Sequence, residues 1–108
     1  DPYNGATTTC ESLWMGVPVV TLAGRSHVGR VGAAILTHLG LDELVAASSG
    51  DYVARAVAMA RDPARLATLR TELRPRMEAS PLTDPARFTT ALEEAYRTMW
   101  RQWCAKTA

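Results

Sequence analysis

Asn4-Gly5-Ala6-Thr7-Thr8-Thr9-Cys10-Glu11-Ser12-Leu13-Trp14-Met15-Gly16-Val17-Pro18-Val19-Val20-Thr21-Leu22 runs from a glycine turn through three threonines into an apolar helix, and then into a β-branched strand. The order turn, helix, strand is that of an α/β fold, and it builds an anion site. The first backbone N–H groups of a helix have no partner inside it, and the helix dipole adds partial positive charge there. Gly5 lets the backbone approach a ligand, and Thr7 and Thr8 add hydroxyl donors beside the free amides of Ala6 and its neighbours. Glu11 follows about one turn later, where a carboxylate can accept hydrogen bonds from a sugar diol. Together these residues suit a nucleoside diphosphate. Thr8-x-x-Glu11 also fits a capping box, in which the same two side chains do no more than satisfy the helix start.

The rest of the chain reads as one further short strand and a series of helices. The first helix is expected from about Thr8 to Met15, ending at Gly16, with a strand over Val17 to Leu22. Gly24-Arg25-Ser26-His27 makes a polar loop. A second helix from about Val28 to Leu39 puts Val28, Val31, Ile35 and Leu39 on one stripe, and Gly29 and Gly32 allow close packing on a neighbour. Gly40 ends it. Glu43 to Ala46 can form a second strand, which would run parallel to the first through a right-handed crossover.

Beyond this point the pattern is helical. Ser48-x-x-Asp51 caps a helix reaching about Arg61. Asp62-Pro63-Ala64-Arg65 and Asp84-Pro85-Ala86-Arg87 open two more in the same way, with aspartate at the cap and proline in the first turn. Leu66, Leu69, Leu73 and Met77 line the first of these, which Pro75 is expected to end or kink. In the last helix Phe88, Leu92, Tyr96, Met99, Trp100 and Trp103 recur at three- and four-residue steps, opposite Arg87, Glu94, Arg97 and Arg101. That stripe needs a partner surface, either the chain's own core or another domain.

Composition narrows the class. Hydrophobic residues at 47% suffice for a core, and 21% charged residues argue against disorder. A net charge of +1 speaks against a nucleic-acid partner, which normally requires a basic stripe. No apolar run approaches the ~20 residues that cross a bilayer, so no membrane association is expected. Cys10 and Cys104 show no metal-ligand spacing and do not group with His27 or His38. They read as reduced thiols, which points to the cytoplasm. The adjacent acids Asp42-Glu43 and Glu93-Glu94 point apart and do not form a catalytic pair. No carboxylate cluster implies a metal.

Tyr3-Asn4-Gly5-Ala6-Thr7-Thr8-Thr9-Cys10-Glu11-Ser12-Leu13-Trp14-Met15-Gly16-Val17-Pro18-Val19-Val20-Thr21-Leu22, then Gly24 and Arg30-Val31, resembles the protein O-GlcNAc transferase family, in particular its bacterial members. Gly40-Leu41-Asp42-Glu43-Leu44-Val45-Ala46, Leu69-Arg70, Arg76-Met77, Ser80-Pro81-Leu82 and Leu92-Glu93-Glu94-Ala95-Tyr96-Arg97, with Met99-Trp100, keep the family's order almost to the end of the chain. The resemblance implies a GT-B glycosyltransferase using UDP-GlcNAc as donor and protein Ser or Thr hydroxyls as acceptor, with no further cofactor. It places the diphosphate on Thr7 and Thr8, beside Gly5 and Ala6 of the same turn, and the ribose on Glu11; Arg30, from its place after the Gly24 loop, could reach phosphate or sugar or take a surface or carboxylate-paired role. Animal members have histidine where this chain has Ala6, which removes one polar contact near the phosphates, and aspartate where it has Glu11.

On this reading residues 1–108 are the C-terminal part of a Rossmann-like UDP-sugar domain. Residues 1–47 carry the diphosphate motif and the β-α-β segment, and residues 48–108 form a helical C-terminal segment. The catalytic residues, the base-binding segment and tandem helical repeats are expected upstream of Asp1, and the last helix is expected to cross to the N-terminal domain. A fragment of this kind should be inactive alone and should self-associate through its exposed strand edge or its aromatic helix. The reading from another class is a helical interaction module, with no nucleotide site and a docking face on the last helix.

Overall fold

The computed structural model describes residues 3–107. Helix α1 (Ala6–Trp14) leads to strand β1 (Thr21–Leu22), helix α2 (Val31–His38), a 3-10 turn at Asp42–Leu44 and strand β2 (Val45–Ala46). Helices α3 (Ser49–Ala60) and α4 (Pro63–Glu78) follow, then a 3-10 turn at Pro81–Thr83 and the long helix α5 (Pro85–Thr107). β1 and β2 pair in parallel, Thr21 with Val45 and Leu22 with Ala46, so the expected β-α-β unit forms around α2. The fold is α/β, mostly helical with two short parallel strands.

Both early helices end by the same device. After α1, Gly16 N–H donates to Leu13 O at 3.0 Å and Val17 N–H to Ser12 O at 2.9 Å. After α2, Gly40 N–H donates to Thr37 O at 3.1 Å and Leu41 N–H to Leu36 O at 3.0 Å. Each is a Schellman motif with glycine at positive φ, 76° at Gly16 and 66° at Gly40. The second exit drives Leu41 into the core beside Leu36. That core joins Leu13 of α1, Ile35, Leu36 and Leu39 on and just past α2, Leu41 and Leu44 of the turn, and Leu69, Leu73 and Met77 of α4. Burial of these side chains supplies most of the stabilisation, at about 25 cal/mol per Å² of apolar surface.

Several expected boundaries move. α1 begins at Ala6, with Gly5 at the cap, and no side chain caps it. The strand contracts from Val17–Leu22 to Thr21–Leu22, because Val17 is spent in the helix exit and β2 offers only two partners. α2 begins at Val31, not Val28. Arg30 N–H donates to His27 O at 2.9 Å and Gly24 N–H to Gly29 O at 2.8 Å, so residues 24–30 close into a turn. A Cβ on Gly24 would stand 3.0 Å from Gly29 Cα and 3.1 Å from Gly29 O, so the closure of this turn is tightest with glycine at 24. α4 passes through Pro75 to Glu78, and Ala79 N–H donates to Pro75 O at 3.0 Å. Pro75 and Thr71, whose carbonyl it leaves without a donor, are both exposed, while Leu69, Leu73 and Met77 hold the opposite face.

The helix caps at Ser48, Asp62 and Asp84 form as expected, accepting from Asp51 N–H at 3.2 Å, Arg65 N–H at 2.8 Å and Arg87 N–H at 2.9 Å. Asp51 does more than follow a cap. Its carboxylate takes Arg55 Nε at 2.8 Å and Ala47 N–H at 3.0 Å, and these bonds, the Arg55 guanidinium first, hold its pKa below the usual carboxylate range. The folded carboxyl therefore binds its proton less readily than the unfolded one. Its stabilisation should be complete above the unfolded value of about 3.9 and be lost as pH falls through the lower folded value. Thermal unfolding of wild type and Asp51→Asn between pH 7 and pH 3 should show a wild-type advantage that shrinks only at the acid end. A gap that stays constant down to pH 3 would contradict this.

α5 is not packed as a local core helix. Phe88, Tyr96 and Trp100 are 64%, 59% and 67% exposed, and the chain measures 61 × 30 × 18 Å because this helix projects from the body. It is attached through the turn at Pro81–Thr83, where Ser80 Oγ and Thr83 Oγ1 each donate to Met77 O at 2.8 Å.

Candidate functional site

Gly5 is in extended conformation (φ −74°, ψ 117°), and Ala6, Thr7 and Thr8 form the first turn of α1. All four are exposed. The Thr9 amide and hydroxyl both donate to Gly5 O, and Ser12 Oγ–H donates to Thr8 O at 2.8 Å. Thr7 and Thr8 hydroxyls make no hydrogen bond within the described residues. The capping box is absent because the helix starts before Thr8, placing that residue third in the helix, where its hydroxyl is not needed as a cap. Two hydroxyls and the first-turn amides therefore face solvent together. A Cβ on Gly5 would meet nothing closer than Thr8 Oγ1 at 3.7 Å, so the front of the helix start is open.

Glu11 lies four residues after Thr7 and three after Thr8, on the same side of α1. It is exposed, forms no ion pair within the described residues, and sits at the rim of an apolar hollow of about 360 Å³ with Cys10, Trp14, Met15 and Met77. Across that helix end, Arg74 Nε–H donates to Trp14 O at 3.0 Å and its guanidinium lies 5.2 Å from the Trp14 ring centre. Arg30 is the residue before α2, exposed, with Nη1 3.4 Å from Gly24 O.

The two helix starts are joined by Asn4. Its N–H donates to Val28 O at 3.1 Å, and its Oδ1 accepts from Gly32 N–H at 3.3 Å and from Thr21 Oγ1 at 3.5 Å. A small cavity of about 160 Å³ opens beside it, lined by Gly5, Thr9, Val20, Thr21 and Tyr52 among others. Sequence reading singled out Gly5, Ala6, Thr7, Thr8 and Glu11, which share one end and one side of α1. It missed Asn4 and Tyr52, for which the chain offers only the weak signal of an asparagine directly before a helix-cap glycine. His27 is exposed at the loop tip, and His38 Nδ1 lies 2.8 Å from Ala34 O in its own helix, a structural contact. Asp42 and Glu43 take separate partners, Thr37 Oγ1 at 2.7 Å and Arg65 Nη2 at 2.6 Å.

At the start of α1 two hydroxyls without a partner among the described residues stand beside the first-turn amides, with a carboxylate one turn on and the start of α2 tied in through Asn4. The chain belongs to glycosyl transferase family 41, which residues 2–92 match. It is 52% identical over 103 residues to a rice protein named probable UDP-N-acetylglucosamine--peptide N-acetylglucosaminyltransferase SPINDLY, covering 95% of this chain and 11% of that one. A UDP-N-acetylglucosamine--peptide N-acetylglucosaminyltransferase of Caenorhabditis elegans is 34% identical over 100 residues, 93% of this chain and 9% of the relative. Among solved structures, a K341M mutant of the Thermobaculum terrenum O-GlcNAc transferase superposes with a TM-score of 0.89 at 45% identity, covering 99% of this chain and 21% of that one. The fold is thus that of a fragment of a GT-B transferase. The chain spans about a tenth of the length of the curated relatives it matches.

Proposed function

We propose that this segment is the diphosphate- and ribose-binding wall of an inverting glycosyltransferase that moves GlcNAc from UDP-GlcNAc to protein Ser or Thr hydroxyls. The observation that carries the reading is the start of α1, where Thr7 and Thr8 are left without the capping bonds that would explain them. As the sugar–phosphate bond breaks, negative charge grows on the leaving diphosphate. Amides of Ala6 to Thr8, the two hydroxyls and the helix dipole are already oriented toward it and need no reorganisation. Glu11 accepts from the ribose diol, and Arg30 adds positive charge from the second helix start. In this reading protein donors rather than a metal neutralise the leaving group. The names of the relatives support the donor and the protein acceptor.

The test is made in the intact protein that carries this segment. Replacing Thr7 and Thr8 together by alanine should weaken UDP binding by about 1–3 kcal/mol, the range of charge-assisted hydrogen bonds. Because these residues meet phosphate and not base, GDP should lose the same factor wherever the intact protein binds it. Calorimetry showing unchanged nucleotide affinity in the double variant would return Thr7 and Thr8 to a purely local role.

The same reading covers partners and place. No described helix is long and apolar enough to cross a membrane. A cytoplasmic setting draws support from the unlinked thiol of Cys10. The isolated chain should self-associate, because an α5 face with Phe88, Tyr96 and Trp100 more than half exposed is a large apolar surface for one small chain. Sedimentation at micromolar concentration should show species larger than a monomer, reduced by Tyr96→Lys with Trp100→Lys. A compact monomer of the unaltered chain would oppose it.

A further inference from the structure

We propose that Asn4 is the positioning residue of this site, fixing the phosphate-facing backbone of α1 against the start of α2. The inference rests on the diphosphate reading and adds a residue to it. Asn4 is half-buried and directly precedes the Gly5 cap. Both groups that face its side-chain oxygen, Gly32 N–H and the Thr21 hydroxyl, are donors, so the carboxamide is held with Oδ1 toward them. Its backbone N–H is taken by Val28 O. Three elements distant in sequence thus converge on one residue, β1 and α2 on its side chain and the 24–30 turn on its backbone N–H.

The packing around the tie leaves little freedom. A Cβ on Gly32 would stand 2.6 Å from Thr21 Oγ1 and 3.3 Å from Asn4 Oδ1, so α2 can approach this closely only with glycine there. Gly32 N–H is also one of the amides that a helix start leaves without a partner, and Asn4 supplies its acceptor from outside the helix. One residue beyond the tie, Gly5 O receives both Thr9 donors and begins α1. Releasing Asn4 therefore lets the backbone of residues 5–8 shift relative to α2. Donors aimed at a diphosphate lose much of their effect on a displacement of an ångström or less.

The discriminating experiment compares UDP with uridine by calorimetry on the intact protein. Asn4→Ala removes the acceptor and should weaken UDP about tenfold while leaving uridine unchanged, since uridine has no phosphate to misplace. Asn4→Asp keeps an acceptor for Gly32 and Thr21, so it should hold the backbone of residues 5–8 in place and bind UDP more tightly than Asn4→Ala. The proposal is overturned if Asn4→Ala binds UDP like wild type, if it loses UDP and uridine by the same factor, or if Asn4→Asp is as weak for UDP as Asn4→Ala. The Thr7 and Thr8 double variant run in parallel separates the two ideas. If it weakens UDP and the Asn4 variants do not, only the positioning role falls. If it too is silent, the diphosphate site itself falls.

Discussion

The 108-residue chain, incubated with UDP-GlcNAc and a peptide acceptor, should yield no glycosylated peptide above background. In the proposed reading Thr7, Thr8, Glu11 and Arg30 bind or orient the leaving group, and none of them is given the task of activating an acceptor hydroxyl. The chain also corresponds to only 21% of the solved O-GlcNAc transferase that it superposes on. Leaving-group stabilisation of the oxyanion-hole kind contributes on the order of 3–4 kcal/mol when one donor is counted, which is far below what enzyme-like turnover demands. Mass spectrometry of the peptide after prolonged incubation is the measurement. Turnover at an enzyme-like rate would place the chemistry inside residues 1–108 and undo the division of labour proposed for them.

The largest stability effect is expected at Gly16. Both helix-ending glycines have positive φ, so alanine at either incurs the left-handed penalty of about 1–2 kcal/mol. Their surroundings differ. A Cβ at Gly16 would lie 2.6 Å from the carbonyl oxygen of Arg70 and 3.2 Å from its Cα, whereas one at Gly40 meets nothing within 4 Å. Backbone of α4 cannot swing aside as a side chain can, so Gly16→Ala adds an overpacking cost of about 1–3 kcal/mol. Gly40→Ala should therefore cost about 1–2 kcal/mol and Gly16→Ala roughly 2–5 kcal/mol, the upper end enough to unfold much of a small domain. Urea unfolding of the two variants side by side provides the comparison. Equal losses would mean that α1 does not rest on α4 as described.

How much of this was legible depended on the range of the interaction. The Schellman exits at Gly16 and Gly40, the caps at Ser48, Asp62 and Asp84 and the stripe Leu69, Leu73, Met77 are set by neighbours within a few residues, and the chain announces them. The start of α1 misled because threonine and glycine are about equally good caps, so Thr8-x-x-Glu11 promised a box while the backbone took Gly5 as its cap and began the helix at Ala6. The strand over Val17–Leu22 shortened for lack of partners, a property of β2 rather than of its own residues. Asn4 carried only a weak signal, its place directly before the cap glycine. Its bonds reach Thr21 and Gly32, and nothing local marks an asparagine as the meeting point of two helices.

Helix α5, with 23 residues, is about 34 Å long at 1.5 Å per residue and joins the body at the Pro81–Thr83 turn. It is a lever arm. A tilt of about 10° at its base carries a point about 34 Å along it through roughly 6 Å, so the bonds at the pivot bear directly on where Trp100 is presented. Ser80 and Thr83 clamp that pivot on Met77 O, and Leu82 N–H donates to Ser80 Oγ at 3.2 Å. Two small hydroxyl residues thereby govern where an aromatic surface several helical turns away is presented.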